Sequence, residues 1–245
     1  MFQAKIKASV LSEVVGAISI IIDEVKFHVS PEGITLKAVD QSHVAMIDLS
    51  LRSKAFEEYK ATEMDMGIDI SKVSEVLKLA VPDDVISMTY NEETRKLLFK
   101  VGNISRTAAL LDTAGMTDPK VPNLNLPAKM VIKSMDLDKG IKGAGSISDH
   151  VTLSAEPTGF ELSAEGDTDA VNLKLPKELL VSVDCKEKVR SVFSLDYFAN
   201  MVKAARSIEA VTISMGTDYP VKVDFDIAGD KGHVSYLLAP RIESE

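Results

Sequence analysis

Residues 25–38 read Val-Lys-Phe-His-Val-Ser-Pro-Glu-Gly-Ile-Thr-Leu-Lys-Ala, and residues 151–164 read Val-Thr-Leu-Ser-Ala-Glu-Pro-Thr-Gly-Phe-Glu-Leu-Ser-Ala. In both stretches apolar and polar residues alternate around a Pro-x-Gly sequence, which predicts two antiparallel strands joined by a turn. The stretches lie 126 residues apart, and the same shift aligns further pairs without gaps, from Ile6 with Ile132 to Val85 with Val211. The chain is therefore predicted to contain one domain twice.

Four segments between the strands place apolar residues at helical spacing on one face. They are residues 9–21, 71–80, 134–147 and 194–208, with Ser9, Ser71 and Ser194 as predicted N-caps. Residues 117–129 hold three prolines, which favour an extended connector. We therefore predict an α+β chain of two similar domains, residues 1–116 and 130–245, each an antiparallel sheet with two helices on one face.

A shorter similarity appears at a shift of 62 residues, where residues 9–15 align with residues 71–77. Four related units in the chain would produce it. Amphipathic helices also resemble one another by chance, because their apolar positions share one spacing. Both interpretations stay open at this point.

The composition excludes several classes of protein. With 27% charged and 45% hydrophobic residues, the chain is neither disordered nor collagen-like, and no apolar run reaches the roughly 20 residues of a membrane helix. The N-terminal residues lack the pattern of a secretory signal, so we expect an intracellular protein without a membrane partner, cytoplasmic in an archaeon or nuclear in a eukaryote. The single cysteine, Cys185, excludes an internal disulfide.

Sequence motifs for catalysis are absent. The chain contains no phosphate-binding glycine loop, no His-Glu-x-x-His zinc motif and no nucleophile elbow. The four histidines are scattered, and none lies near Cys185 in the sequence. We therefore expect no catalytic residue, no metal and no cofactor, and an α+β enzyme with an unrecognised pocket stays open as an alternative.

The placement of charge leaves phosphate binding open, although the net charge is −9. The four predicted helices together hold six basic and five acidic residues, so they are less acidic than the rest of the chain. Five cations lie opposite or beside the apolar stripes and could contact phosphates without reading base sequence: Lys78, Lys139, Lys142, Lys203 and Arg206. A merely solvated helix face is the alternative.

Three segments carry a resemblance to a known family. They are Leu36-Lys37-Ala38-Val39-Asp40-Gln41-Ser42-His43-Val44-Ala45, Asp218-Tyr219-Pro220-Val221, and Gly232-His233-Val234-Ser235-Tyr236-Leu237-Leu238-Ala239-Pro240-Arg241-Ile242-Glu243. Together with the duplicated halves and the connector at mid-chain, they make the whole chain resemble the proliferating-cell nuclear antigen (PCNA) family of DNA sliding clamps, in its archaeal form.

The resemblance implies a processivity factor for DNA polymerase. Three copies of a two-domain chain would join head to tail into a pseudo-sixfold ring, a homotrimer whose helices surround double-stranded DNA. The five cations named above would face the DNA. The first predicted helix departs from the family pattern, because Ser12, Gly16 and Ser19 stand where relatives commonly have lysines, and this implies a less basic channel.

The resemblance also implies two kinds of protein interface. DNA polymerase, clamp loader, flap endonuclease and ligase would bind through a peptide with a glutamine and two aromatic residues, in a pocket formed by Val39, His43, Val121, Leu124, Leu126, Pro220, Leu237, Ala239 and Pro240. Neighbouring copies would pair open strand edges, which carry Arg106, Ala108 and Leu110 on one side and Val171, Leu173 and Leu175 on the other.

A DNA-bending protein with duplicated halves, such as the TATA-binding protein, is a further alternative. Such a protein should be basic and should carry apolar wedges for the minor groove, whereas this chain has a net charge of −9. A mass in solution of three times 26.6 kDa would distinguish the ring from the DNA-bending protein and from the enzyme.

Overall fold

The computed structural model describes residues 1–242, so Glu243 of the quoted ending and the last two residues of the predicted second domain lie outside the described residues. The chain divides into two units. The first contains Met1–Gln41, Ile47–Lys120 and Asp226–Val234, and the second contains Ser42–Met46, Val121–Phe225 and the residues from Ser235 onward. Each unit therefore includes a short segment from the other half of the sequence.

Both halves of the sequence follow one order of elements. The first half forms β1 (Phe2–Lys7), α1 (Ala8–Ser19), β2 (Glu24–Ser30), β3 (Gly33–Val39), β4 (Ala45–Arg52), β5 (Glu58–Ala61), β6 (Met64–Asp69), α2 (Ile70–Leu77), β7 (Val85–Asn91), β8 (Lys96–Val101) and β9 (Ile104–Ala109). The second half forms β10 (Ala128–Lys133), α3 (Ser134–Ala144), β11 (His150–Glu156), β12 (Gly159–Glu165), β13 (Ala170–Pro176), β14 (Ser182–Cys185), β15 (Val189–Ser194), α4 (Leu195–Ala204), β16 (Ala210–Met215), β17 (Val221–Ile227) and β18 (Gly232–Leu238).

The predicted α+β class with two similar domains is confirmed, and the strands of each unit divide between two sheets. In the first unit the strand orders are β5-β1-β7-β8-β9 and β18-β4-β3-β2-β6, and in the second they are β14-β10-β16-β17-β18 and β13-β12-β11-β15, because β18 contributes residues to both units. The strands pair antiparallel, with β1 beside β7 as β10 is beside β16. β9 and β13 each end a sheet and leave one edge of backbone groups open.

The two Pro-x-Gly sequences need glycine because a neighbouring strand passes close to them. A Cβ atom on Gly33 would lie 2.1 Å from the carbonyl oxygen of Leu51, and one on Gly159 would lie 2.4 Å from that of Leu175. Neither position could hold a side chain without moving backbone. The glycines therefore fix the approach of β4 to β3 and of β13 to β12, in addition to forming a turn.

The four predicted helices exist and are shorter at their C-terminal ends than the apolar pattern indicates. α2 ends at Leu77 and α4 at Ala204, whereas the pattern continued to residues 80 and 208. Two predicted N-caps were wrong: Lys7 precedes α1, and the Asp69 carboxylate caps α2 by accepting the Ser71 N–H at 2.9 Å. Ser194 holds the cap position of α4, but its side chain accepts no capping hydrogen bond.

The packing beside α3 differs from the packing beside α1. In the second unit a Cβ on Gly140 would lie 2.7 Å from Leu173 Cδ2, and one on Gly143 would lie 3.2 Å from Val171 Cγ2. These glycines therefore allow α3 to lie directly against β13, which explains why a helix contains them despite their low propensity. The first unit instead holds an apolar cavity of about 50 Å³, lined by residues that include Leu11, Val15 and Phe99.

The predicted connector contains no helix, and its last two residues belong to a strand. Residues 112–127 form neither helix nor strand, and β10 begins at Ala128. Across the part of the chain that the structure describes, no helix is long and apolar enough to span a membrane. No group of three His, Cys, Asp or Glu side chains within residues 1–242 could hold a metal ion.

Candidate functional site

The five candidate phosphate-binding cations are all exposed, and three of them carry an internal counterion. Lys139 Nζ lies 3.7 Å from the Asp136 carboxylate on the same helix, and Lys142 and Arg206 both contact Asp138. Lys78 follows α2, Lys203 lies in the last turn of α4, and no ion pair to either is found within residues 1–242. The cationic character of the helices is therefore partly neutralised in the second unit.

Asp138 links α3 to the segment after α4. One of its oxygens, Oδ2, lies 2.7 Å from Lys142 Nζ and 3.2 Å from Arg206 Nη2. The hydrogen bond from Lys142, with the charge of Arg206 beside it, lowers the pKa of the Asp138 carboxyl below its usual range. The carboxylate is therefore ionised at neutral pH and holds both cations in place.

The open strand edges carry five of the six residues predicted for a subunit interface, whereas Leu110 follows the end of β9. On β9, Arg106 and Ala108 are half-buried, and the Arg106 guanidinium forms an ion pair with Glu75 of α2. On β13, Leu175 is buried, whereas Val171 and Leu173 are half-buried against the glycines of α3. The predicted side chains thus pack partly within their own unit, while the backbone of each edge stays open.

In contrast to these open edges, the edges of β4 and β18 pair with each other within the chain. In the first unit the Arg52 N–H donates to Lys231 O at 2.9 Å, and in the second unit the Ala239 N–H donates to Val44 O at 2.9 Å. The two bonds lie at the ends of the pairing between β4 and β18 and share one antiparallel register, which places Leu49 opposite Val234. Leu49 and Val234 are both 0% exposed.

The turn between β17 and β18 is held by two polar side chains of the first unit. The Glu13 carboxylate on α1 accepts the Ala228 N–H at 2.8 Å, and the Arg52 guanidinium donates to Asp230 O. Ala228 and Asp230 have left-handed backbones, with φ of 55° and 66°. Glu13, the single charged residue of α1, is therefore occupied by a structural hydrogen bond.

The predicted peptide pocket falls almost entirely in the second unit. Val39 belongs to the first unit, and the other predicted pocket residues belong to the second: His43, Val121, Leu124, Leu126, Pro220, Leu237, Ala239 and Pro240. Leu237 is buried, Leu124 and Leu126 are half-buried, and His43 and Val121 are exposed. The Ala239–Val44 hydrogen bond joins the C-terminal segment to the chain beside His43.

The start of the connector is fixed to β2 by an ionic cluster that we call the connector clip, formed by Lys26, His28, Asp65 and Asp118. Lys26 Nζ lies 3.1 Å from Asp118 Oδ2 and donates to Met116 O at 2.8 Å. His28 Nε2 lies 2.9 Å from Asp118 Oδ1, and His28 Nδ1 lies 2.6 Å from Asp65 Oδ1. The imidazole therefore bridges two carboxylates from different segments.

The connector clip shifts the pKa values of its members. Burial alone would lower the pKa of His28, but the hydrogen bonds to Asp118 and Asp65 outweigh burial and raise it above 6.5. Burial would raise the pKa of Asp118, but the hydrogen bonds from His28 and Lys26 outweigh it and lower the pKa below 3.8. The charged forms of His28 and Asp118 therefore stabilise each other.

Sequence reasoning missed several of these contacts. The spacing of Asp138 and Lys142, four residues apart on a predicted helix, could have revealed their ion pair. The connector clip and the Arg106–Glu75 pair join residues far apart in sequence, so no local pattern indicates them.

Known proteins match the chain along its whole length. The model of the PCNA N-terminal domain matches residues 1–113, and that of the PCNA C-terminal domain matches residues 120–241. A DNA polymerase sliding clamp of Methanosarcina barkeri is 44% identical, with 100% of both chains covered.

Solved structures agree with the sequence comparison. The chain matches a structure of the C-terminal region of FEN-1 bound to A. fulgidus PCNA with a TM-score of 0.94 and 32% identity, covering 100% of both chains. It matches PCNA of Thermococcus kodakaraensis with a TM-score of 0.90 and 27% identity, covering 98% of this chain and 100% of the other. The repeated fold, the open strand edges and the full-length matches agree, and the chain belongs to the PCNA family of DNA polymerase sliding clamps.

Proposed function

We propose that three copies of this chain close into a ring around duplex DNA and tether DNA polymerase and other replication and repair proteins to it. The role is one of binding and topological retention, without a catalytic step. Three features support it. They are the open edges of β9 and β13, the five exposed cations in or directly after the helices α2, α3 and α4, and the connector together with the C-terminal segment. Each feature supplies a separate test.

The observation that supports the ring is a strand pairing that the chain makes once, between β4 and β18, and leaves unmade at the corresponding edges of β13 and β9. Leu49 and Val234 face each other across β4 and β18 and are fully buried. Their counterparts in the repeat, Leu173 on β13 and Ile104 on β9, lie on open edges, and Ile104 is 49% exposed. Pairing β9 of one copy with β13 of the next would bury both residues and satisfy both backbone edges.

The counterparts follow from the strand registers. Gly33 and Gly159 contact Leu51 and Leu175 in the same manner, so Leu173 occupies in β13 the position of Leu49 in β4. The equivalent of the β4 strand in the second unit is therefore β13, residue by residue.

The registers also relate β9 to β18. Val101 in β8 takes the position of Phe225 in β17. Val101 pairs with Ile104, and the residue after Phe225 contacts His233. Ile104 in β9 therefore corresponds to Val234 in β18.

Transferring the closed register to the open edges gives a specific subunit contact. Ile104 of one copy would lie opposite Leu173 of the next, and Arg106 would lie opposite Val171. Both are positions without backbone hydrogen bonds between the paired residues, where Cα atoms approach to about 4.5 Å, and disulfides form across that distance.

Cross-linking tests this contact. The variant Arg106→Cys with Val171→Cys should oxidise to a covalent species of three chains, about three times 26.6 kDa, and sedimentation of the wild type should give the same mass. The control variant Leu110→Cys with Val171→Cys displaces one cysteine by four residues, about 13 Å along the strand, and should stay uncross-linked. A monomeric wild type, or equal cross-linking of both variants, contradicts the ring.

The exposed cations would contact DNA phosphates weakly and without sequence preference. Such contacts release counterions, so the logarithm of the affinity should fall with the logarithm of the salt concentration by about 0.9 for each phosphate contact. Binding of duplexes of different sequence should show one slope. A sequence-dependent slope would contradict retention through the backbone alone.

Partner proteins would bind at the connector and the C-terminal segment. The A. fulgidus PCNA relative binds the C-terminal region of FEN-1, which supports a flap endonuclease as one partner, with DNA polymerase, clamp loader and ligase as others of the same binding mode. Leu126→Ala removes apolar surface from a half-buried position and should weaken a peptide with a glutamine and two aromatic residues by tenfold or more, measured by calorimetry. Glu165→Ala, outside this site, is the control, and equal affinities would contradict the pocket.

A further inference from the structure

The helices proposed to face DNA contain a carboxylate where a purely attractive surface would have none. Asp138 lies among the candidate cations and contacts two of them through a single oxygen atom, Lys142 Nζ at 2.7 Å and Arg206 Nη2 at 3.2 Å. Asp136 makes a looser pair with Lys139, at 3.7 Å. Of these two carboxylates, Asp138 therefore lies closer to the candidate cations.

The three side chains of the Asp138 cluster differ in exposure. The Asp138 side chain is 20% exposed, whereas Lys142 and Arg206 are 60% and 54% exposed. The Asp138 carboxylate is therefore less accessible to a phosphate group arriving from solvent than the two cations are. Two positive charges and one negative charge leave the cluster with a net charge of +1.

We infer that Asp138 limits how tightly this surface holds DNA, as a positioning residue and as an internal counterion for Lys142 and Arg206. The inference rests on the proposed DNA-facing role of these helices. A phosphate must share each cation with Asp138, and the negative charge of Asp138 repels the phosphate. Both effects weaken each contact and favour a clamp that moves along DNA over one that stays in place.

Asp138→Asn tests the inference because it keeps the size of the side chain and removes its charge. In trimers confirmed by sedimentation, we expect at least about threefold tighter binding of a short fluorescent duplex at low salt and a steeper salt dependence. We also expect slower diffusion of the loaded ring along DNA. Asp138→Glu keeps the charge and should remain close to wild type in all three measurements.

Asp196→Asn is the matched control for net charge. Asp196 is an exposed carboxylate in the first turn of α4, so its loss changes the charge of the chain equally. A gain limited to Asp138→Asn supports the inference, and an equal gain in both variants overturns it, because net charge alone would then explain the effect. Unchanged or weaker binding by Asp138→Asn also overturns it.

Lys142→Ala separates this inference from the proposed function. If Lys142→Ala weakens DNA binding and Asp138→Asn leaves it unchanged, the inference fails and the DNA-facing surface stands. If Lys142→Ala, Arg206→Ala and Asp138→Asn all leave affinity and salt slope unchanged in intact trimers, the DNA-facing role of this surface fails as well.

Discussion

The helix pairs of the two units share one position in the repeat and differ in the charges that they carry. α1 contains no basic residue, and its carboxylate, Glu13, accepts the Ala228 N–H. The corresponding helix α3 carries Lys139 and Lys142 together with two carboxylates. The fold depends on the buried stripe of each helix, so the exposed face is free to differ. One architecture can therefore hold a structural helix in one unit and a charged one in the other.

The buried stripes differ as well, although they keep their spacing. Val15 of α1 lines the cavity of the first unit, and the residue 126 positions later is Ile141 of α3. Gly140, one position earlier on α3, has no side chain, and Leu173 of β13 lies where its side chain would be. In the second unit helix and strand therefore lie directly against each other at this point, whereas a small cavity lies beside Val15 in the first.

The largest expected effect concerns charge. Replacing the second-unit cations Lys139, Lys142, Lys203 and Arg206 by alanine should weaken binding of duplex DNA more than tenfold, because each lost phosphate contact lowers the salt slope by about 0.9. Replacing Lys78, the candidate cation of the first unit, should have a smaller effect. Salt titrations of duplex binding by both variants, as trimers, measure the difference.

Equal losses in the two charge variants would contradict an unequal division of DNA contact between the units. Loss of assembly in either variant would instead indicate that its lysines serve the subunit contact. Sedimentation before each titration separates these outcomes.

The next effect concerns the glycines of corresponding helices. Gly140→Val should destabilise the protein by about 1–3 kcal/mol, because its side chain would overlap Leu173. Gly16→Ala should stabilise it by about 0.5–1 kcal/mol, because no atom lies within 4 Å of the new Cβ and alanine favours the helix. Denaturant unfolding measures both. A Gly140→Val variant as stable as the wild type would contradict the close approach of α3 to β13.

The sequence predicted the fold well where a local pattern carries the information. Alternation and the two Pro-x-Gly sequences indicated the repeat, and the apolar stripes located all four helices. The helices were predicted too long at their C-terminal ends, because apolar residues continue into the following turn, as at Leu79 and Ile208. The division of each unit into two sheets depends on pairing between distant strands, which alternation does not specify.

The candidate site was predictable in its residue types and less so in its contacts. The exposed positions of all five cations agree with the spacing argument, since residues opposite a buried stripe face solvent. Their counterions were missed, because helical spacing locates exposed cations but does not show which carboxylates they contact. The connector clip joins β2, β6 and the connector, and such a contact follows from the fold and not from sequence spacing.

A smaller effect should follow from exchanging the core residues of the two units. Val15→Ile adds one methylene next to the cavity of about 50 Å³ and gives α1 the residue that α3 has. We expect a gain of up to about 1 kcal/mol. The reverse change, Ile141→Val, should cost about 0.5–1.5 kcal/mol. Loss of stability in Val15→Ile would show that the cavity cannot accept the added group.

The smallest expected effect is the pH dependence of the connector clip. Its histidine has no counterpart at the equivalent position of the repeat, since Ser154 stands 126 residues after His28. The raised pKa of His28 means that its contribution is complete below 6.5 and is lost as pH rises through the raised value. The lowered pKa of Asp118 means that its contribution is present above 3.8 and is lost as pH falls through the lowered value. The clip is therefore strongest between these limits.

Amide hydrogen exchange of the connector tests this window. Protection factors around residues 116–118 should decline as pH rises from about 6 to 8, because neutral His28 can no longer bridge both carboxylates. Protection in β11 of the second unit should stay constant over the same range. His28→Gln keeps a hydrogen-bonding side chain without the titration, so its connector should show low protection that does not vary with pH. A decline in His28→Gln equal to that of the wild type would assign the pH dependence to another group.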